Sequence, residues 1–471
     1  MSSTPIPIGT LVIGAGPTGL GAAYRLKELG DADFLVVEAS QELGGLAASF
    51  VDAQGFTWDI GGHVQFSHYK YFDELMEKAL GKEGWLHHQR ESWVWIRDRF
   101  VPYPFQNNIR RLPKEVLWKC LAGLIDLYKQ IPTQSQGRLA HFGEWIEATF
   151  GRGLAEEFML PYNFKVWAYP AEEMDYGWVG ERVAVTDLKR VLENVLFEKD
   201  DLSWGPNNTF QFPVRGGTGA IWRRVGELVG LEKIALGVAV KQVNATRREA
   251  VLSDGRIVRF QNLLSTIPLD LFLPMIEEST PEARAVAARL KYSSSHIVGI
   301  GLKGAPAPEL KTKCWMYFPE SNCPFYRVTL FSNYSPNNVP DISRHWSLMA
   351  ETSESSHKKV DPSRLIEETI EGMLATKLIQ SRDEIISTWQ FTAAHGYPTP
   401  FLGRDAMIET LFAELDRLGL YSRGRFGAWK YEVSNQDHSL MQGVEWANRI
   451  RLGESETTVF FPNVVNAKPS R

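Results

Sequence analysis

Thr10-Leu-Val-Ile-Gly-Ala-Gly-Pro-Thr-Gly19 is the stretch that decides how this chain is read. Residues 10–13 form a short apolar run suited to a buried strand, and the glycines follow at once. Leu20, Ala23 and Leu26 then recur at helical spacing. A second run, Phe34-Leu-Val-Val-Glu38, ends in an acid nineteen residues beyond Gly19. GxGxxG alone is a weak signal. Between a strand and a helix, with an acid at that distance, it specifies a βαβ unit that holds a dinucleotide. Gly14 permits the tight turn, Gly16 lets the backbone approach a pyrophosphate, and Gly19 lets the helix lie close to the strand. The N-terminus of the helix that follows then faces the phosphates, and Thr18, between these glycines, is a candidate cofactor contact. Glu38 is expected to hydrogen-bond the adenosine ribose hydroxyls.

Outward from this unit the pattern changes. A plain nicotinamide dehydrogenase would continue with further βαβ repeats. Here Gly44-Gly45-Leu46 and Asp59-Ile-Gly-Gly-His63 follow instead. Glycine pairs this soon after the acid let backbone lie against a second bulky group such as a flavin ring, so FAD is the expected cofactor. Residues 106–205 read as mostly helical, with apolar spacings of three and four over 112–128 and 138–150. Phe212-Pro-Val-Arg-Gly-Gly-Thr-Gly219 opens a helix over 220–229. Alternating segments follow at 238–243, 249–252, 256–260 and 263–268, with the turn Asp254-Gly255 marking a hairpin. Strands are expected at 295–302, 314–318, 326–331 and 345–351. A last helix is expected from about Asp437 to Ile450, with Asp437 and Ser439 as candidate caps.

Composition bounds the function classes. The chain has 471 residues, too many for one ordinary domain, with 44% hydrophobic and 23% charged residues. A net charge of −5 excludes the basic footprint of a nucleic-acid binder or a membrane-surface protein. Any anionic substrate must then be met by local arginines. The three cysteines, Cys120, Cys314 and Cys323, are scattered without zinc spacing, so reduced thiols and no metal are expected. Residues 1–10 lack the marks of a signal peptide, and no stretch of about 18 apolar residues occurs. A soluble, cytoplasmic protein without membrane partners is expected.

Longer motifs carry a resemblance. Gly61-Gly-His-Val-Gln-Phe-Ser-His-Tyr69, Val101-Pro-Tyr-Pro-Phe-Gln-Asn-Asn108, Pro161-Tyr-Asn-Phe-Lys-Val-Trp-Ala168, Gly180-Glu-Arg-Val183 and Trp204-Gly-Pro-Asn207 occur in this order. They continue with Cys314-Trp-Met-Tyr-Phe-Pro319, Asn322-Cys-Pro-Phe-Tyr-Arg327, His395-Gly-Tyr-Pro-Thr-Pro400 and Gly424-Arg-Phe-Gly427. Together they span nearly the whole chain. They resemble the amine oxidase-like flavoprotein superfamily and, within it, the eukaryotic-type UDP-galactopyranose mutases.

The resemblance implies an α/β fold: a Rossmann-type FAD-binding domain with a helical insertion and an antiparallel β-sheet substrate domain. Residues 1–66, 207–285 and 396–460 would form the FAD domain, 106–206 the helical domain, and 67–105 with 286–395 the sheet domain. It implies a non-redox isomerase that interconverts UDP-galactopyranose and UDP-galactofuranose through a covalent adduct of sugar and reduced-flavin N5, and an iminium.

Residue by residue, Phe66, Tyr103, Gln106 and Asn163 would hold the uridine, under a loop carrying Trp167. Arg182 and Arg327 would clamp the diphosphate with Tyr334, Tyr397 and Tyr431. Asn207 and Trp315 would lie near the sugar. His63, Gly61 and Gly62 would border flavin N5. Asn435 and Gln436 would meet the flavin pyrimidine ring, with Gly45 and Ser439 also on the cofactor. Arg90, Tyr103, Tyr317 and Arg425 would meet a reductant, NADPH or NADH. Three positions depart from the family: Gln65 replaces an aliphatic residue, Ser203 an asparagine and Ser434 a glycine.

The residue types suit that chemistry. A nucleotide-sugar diphosphate carries about two negative charges, and guanidinium forks meet phosphate oxygens bidentately. Ring contraction needs a nucleophile at the anomeric carbon and a leaving group that stays in place. The late helix could aim its N-terminal dipole at the flavin. The competing reading is an FAD-dependent oxidase or dehydrogenase of an amine or polyene, which would need an apolar cavity without a diphosphate clamp. A binding module without catalysis is a third. The sequence leaves open the sugar epimer, the choice between NADPH and NADH, and assembly, a homo-oligomer included.

Overall fold

The structure is a computed structural model that describes residues 4–130, 139–180, 183–202 and 208–467. The opening unit is the expected βαβ: β1 (Ile6–Ile13), α1 (Pro17–Glu28) and β2 (Phe34–Glu38). β1 and β2 run parallel, with Leu11 opposite Leu35 and Ile13 opposite Val37. β1 starts earlier than its apolar run because Ile6 already pairs with Val258.

Seven strands form this first sheet. The segments expected at 256–260 and 263–268 are one strand, Ile257–Ser265. On one edge its residues 257–259 run antiparallel to Glu249–Leu252 across the Asp254-Gly255 turn, and on the other edge Val258 to Ser265 run parallel to β1. A single strand can do both because each of its two edges pairs with a different neighbour. Lys70–Leu80, assigned from sequence to the sheet domain, packs instead on the first sheet's helices: Phe72, Leu75, Met76 and Ala79 share a core with Leu20, Tyr24 and Trp222. Its apolar stripe at helical spacing needs that neighbour.

The second sheet runs in the order Ile385–Pro398, Tyr292–Lys303, His345–Glu354, Arg327–Leu330, Trp315–Tyr317, Ser92–Ile96, Arg99–Pro102. All its pairings are antiparallel except Trp315–Tyr317 with Ser92–Ile96. Side chains alternate along each strand. In Tyr292–Lys303, Val298 and Ile300 pack toward the helix Leu365–Ala375, while Ile297 points the other way, toward the cavity described below.

The helical insertion comprises Lys114–Gln130, Phe142–Leu154, Leu160–Trp167 and Leu188–Leu196. Phe105, Phe142, Phe150, Phe158 and Trp167 meet in its core. A wide π-type turn, Ala155–Met159, joins two of the helices beside the cavity, a device common at functional sites. Among the described residues, no helix is long and apolar enough to cross a membrane.

Candidate active site

A cavity of about 1070 Å³ lies between the C-terminal ends of the first sheet's strands, one face of the second sheet and the helical insertion. At its floor, Gly14 takes φ +101°, and a side chain there would overlap Thr266 Oγ1. A methyl on Gly19 would overlap the Gly14 carbonyl, which is the expected close approach of helix to strand. A methyl on Gly16 would meet only Gly44 O and Gly45 Cα at 3.8 and 3.9 Å, because Gly16 faces the cavity. The Gly16 cap brings no side chain to the N-terminus of α1, so that positive end faces the cavity beside Thr18. Glu38 also lines the cavity. Its carboxylate accepts from Ala15 N at 2.8 Å and Ser40 N at 2.9 Å, which fixes it at the ribose end of the expected ligand.

Further in, Gly45 lies against Gly16, and Asn435, Gln436 and Ser439 line the opposite wall. Asn435 occupies the N-cap position of the helix Gln436–Leu452 without a side-chain cap bond, which corrects the candidate caps. Asp437 turns inward instead: it accepts from His68 N at 3.1 Å and pairs with His68 Nδ1 at 2.9 Å. With His438 these form a buried cluster whose ligand-type atoms lie within 4.8 Å of one another. The Ser439 hydroxyl reaches back to Ser434 O at 3.3 Å. Trp222 Nε1 donates to Gln436 Oε1 at 2.8 Å, so the side chain is held and the Gln436 backbone is left at the wall. The dinucleotide cradle, the fixed acid and this second helix N-terminus fit FAD.

Glu351, which the sequence reading missed, organises the substrate end. It is 2% exposed. Arg327 Nε and Nη2 donate to its two oxygens at 2.7 and 2.8 Å, Tyr326 Oη donates at 2.9 Å, and Gly62 N donates at 3.1 Å. One carboxylate thus ties the expected diphosphate arginine to the Gly61–His63 loop. These donors outweigh burial and hold the Glu351 carboxyl below its ordinary range. A signal was available: an acid that directly follows the apolar run Leu348 to Ala350 in a strand needs partners if it is buried. Burial lowers the His63 pKa from 6.5 to about 4, against the pull of Glu351, so the ring is neutral at pH 7.

Aromatic and polar groups complete the walls. Tyr103 and Tyr317 ring centroids are 5.4 Å apart, and Trp167 packs on Tyr431 at 4.7 Å and on Tyr397 at 5.9 Å. Arg90 lies over Tyr103 at 5.9 Å, and Arg425 over Tyr397 at 4.8 Å. Arg425 also donates to Gly396 O and, at 2.8 Å, to Ser434 Oγ. The departure at Ser434 is therefore an anchor for Arg425. Gln106 donates to Ala184 O at 2.6 Å, and Asn163 to Met159 O at 2.8 Å; Phe66 lines the cavity with them. Among the described residues, the buried polar atoms on the cavity lining that have no hydrogen-bond partner include His63 Nδ1, Gln65 Nε2, Gln106 Oε1 and Trp315 Nε1. Buried polar atoms are normally paired, so these are sites for ligand groups.

Tyr334 is a correction. It is fully buried among Phe210, Phe212 and Phe331, behind Trp315 and away from the cavity lining. Its position on the short turn after Arg327–Leu330 folds it into that aromatic core. Arg182, Ser203 and Asn207 lie outside the described residues.

Fold and cavity define a class, the flavin-dependent enzymes of the amine oxidase type, and the model of the flavin-containing amine oxidoreductase family matches residues 17–411. Cyclohexylamine oxidase from Brevibacterium oxydans IH-35A is 15% identical over 95% of this chain and 100% of that one, with a TM-score of 0.66. The CLA-producing fatty acid isomerase from P. acnes is 13% identical over 94% and 99%, with a TM-score of 0.63. Both share the fold alone. A crystal structure of reduced UDP-galactopyranose mutase is 48% identical over 98% of each chain, with a TM-score of 0.94. The chain belongs to the flavin-containing amine oxidoreductase family and, within it, to the UDP-galactopyranose mutases.

Proposed function

We propose that this chain is an FAD-dependent isomerase that interconverts UDP-galactopyranose and UDP-galactofuranose. The observation that carries the proposal is the joining of Arg327 to the Gly61–His63 loop through Glu351 in a cavity walled by tyrosines. An oxidase of amines or polyenes has no use for a guanidinium held there. Reduced FAD, when bound, supplies a nucleophile at N5. The residues do the rest. Glu351 occupies Nε and Nη2 of Arg327 and leaves Nη1 for a phosphate oxygen. Tyr397 and Tyr431 add neutral donors that hold the departed diphosphate until it returns. Neutral His63, with Nδ1 unpaired, can accept a hydrogen bond from a sugar hydroxyl. Phe66, Tyr103, Gln106, Asn163 and Trp167 bind the uridine and exclude water. Arg182 and Asn207 complete the clamp and the sugar site in this reading.

The finer assignments rest on the same cavity. NADPH or NADH reduces the flavin, met by Arg90, Tyr103, Tyr317 and Arg425. Residues 1–66, 207–285 and 396–460 are the FAD domain, with the Lys70–Leu80 helix joined to it. The cytoplasm is the proposed location, supported by three buried, unbridged cysteines.

The test is to incubate dithionite-reduced, FAD-loaded protein with UDP-galactofuranose and separate the products by chromatography. UDP-galactopyranose is expected. Its absence, with oxygen-dependent turnover of an amine in its place, would reverse the assignment.

A further inference from the structure

Outside the cavity, one buried pair of side chains has chemistry of its own. Lys165 is 8% exposed and Cys323 is 6% exposed. Lys165 sits on the helix Leu160–Trp167, beside Asn163. Cys323 sits on the loop between the strands Trp315–Tyr317 and Arg327–Leu330. Lys165 Nζ donates to Glu320 O at 2.8 Å and to Cys323 O at 3.0 Å, and it lies 3.4 Å from Cys323 Sγ. The two carbonyls keep the nitrogen from swinging away from the sulfur. On the other side, Cys323 is backed by Gly372, where even a methyl would come within 2.8 Å of Cys323 Cβ. A second buried lysine, Lys358, donates to Ser353 O at 2.7 Å close by. Burial lowers the Lys165 pKa, and the Lys358 pKa falls to about 8 through burial and the neighbouring Lys165 charge. Burial thus shifts Lys165 toward the uncharged amine that lies against the thiol.

We propose that Lys165 and Cys323 form a redox modification site that closes, in the presence of dioxygen, into a covalent nitrogen–oxygen–sulfur bridge. Once the ammonium has released its proton, the amine, the thiol and one O₂ give Lys–NH–O–S–Cys and one water. One N–H bond, the S–H bond and the O–O bond break. An N–O and an O–S bond form, and both hydrogens leave on the second oxygen as water. Dioxygen accepts four electrons, and the nitrogen–sulfur pair loses them. The bridge would fasten the helix bearing Asn163 and Trp167 to the loop leading into Arg327. It rests on this geometry and not on the reaction proposed above.

The test uses the FAD-loaded protein in three portions: anaerobic with dithiothreitol, air-saturated, and anaerobic with hydrogen peroxide. Each is digested and its peptides weighed. In air, the Lys165 and Cys323 peptides should appear joined, heavier than their sum by about 14 Da (one oxygen gained, two hydrogens lost), and dithiothreitol should separate them. Lys165→Arg and Cys323→Ser should each abolish the joined pair, with flavin content reporting that the variants fold. If a variant fails to fold, the wild-type peptide pair and its reversal decide the matter. Four results overturn the proposal: no joined pair in air, a pair lighter by two hydrogens with no oxygen, a gain that survives Lys165→Arg, or a bridge that forms with peroxide but not with air.

Discussion

A buried carboxylate must be matched group by group, and Glu351 is matched by Arg327, Tyr326 and Gly62. Glu351→Gln keeps the shape and removes the charge that aims Arg327. It should lower kcat/KM roughly 10- to 100-fold, the scale of one or two charge-assisted hydrogen bonds. FAD content should not change, because a glutamine oxygen can still accept from Gly62 N and the Gly14–Gly19 cradle is untouched. Steady-state kinetics with flavin absorbance checks both, and an unchanged kcat/KM would deny Glu351 its positioning role. His63 makes a second residue-scale prediction. Its folded pKa of about 4 lies below the ordinary 6.5. Between those values the unfolded chain holds a proton that the folded chain does not, so acidification through this window should cost stability. An NMR titration should find the His63 ring neutral at pH 5.5; a charged ring there would show that burial does not dominate. The motif residues were legible because chemistry constrains their spacing. The run before Glu351 signalled an acid in need of partners, but which partners was not legible, because they come from a distant loop and a neighbouring strand.

At the scale of elements, two contacts position the cofactor end. Asp59, on the strand Thr57–Asp59, accepts from Thr218 N and Oγ1 and from Ser49 Oγ, and so pins the helix Gly219–Val229. Burial outweighs these bonds and raises its pKa from 3.8 to about 6. The folded state therefore keeps a proton that the unfolded chain has released, and the stability this adds is present below pH 3.8 and lost as pH rises through 6. Thermal unfolding of Asp59→Asn from pH 4 to 7 should show the variant gaining on the wild type as pH rises; the opposite slope would contradict the shift. The second contact joins α1 to the helix Gln436–Leu452, where a methyl on Gly443 would overlap Thr18 O. Gly443→Ala should cost about 1–3 kcal/mol by overpacking. It should also loosen FAD, since both helix N-termini face the cofactor; flavin retention on a desalting column measures this. The sequence placed the start of the late helix near Asp437, one residue from the observed Gln436. It missed the cap, because Asp437 is drawn inward by His68, a contact across 369 residues that no local pattern encodes.

At the scale of the molecule, the cavity belongs to no single unit: the first sheet supplies the cradle, the second sheet Arg327 and Trp315, and the helical insertion Asn163 and Trp167. Arg327→Ala should therefore weaken the transition state by about 1.5–3 kcal/mol, or roughly 10- to 150-fold in kcat/KM, without loss of flavin. Full activity and full UDP affinity in that variant would remove the diphosphate assignment. Fold class and most cavity residues were legible, because glycine turns and hydrophobic periodicity are local. Tyr334 was not, because the side of a wall on which a residue falls depends on packing among rings far apart in sequence.

The central claim is that the flavin is reduced once and its electrons are kept. An oxidase spends an acceptor at every turnover, whereas an isomerase has substrate and product at one oxidation level. The direct measurement is to reduce the enzyme with one stoichiometric equivalent of dithionite under argon, add excess UDP-galactofuranose, and count product per flavin. Many turnovers per equivalent, with none from the oxidised enzyme, is the expected result. About one product per flavin, or equal activity from oxidised enzyme, would contradict it.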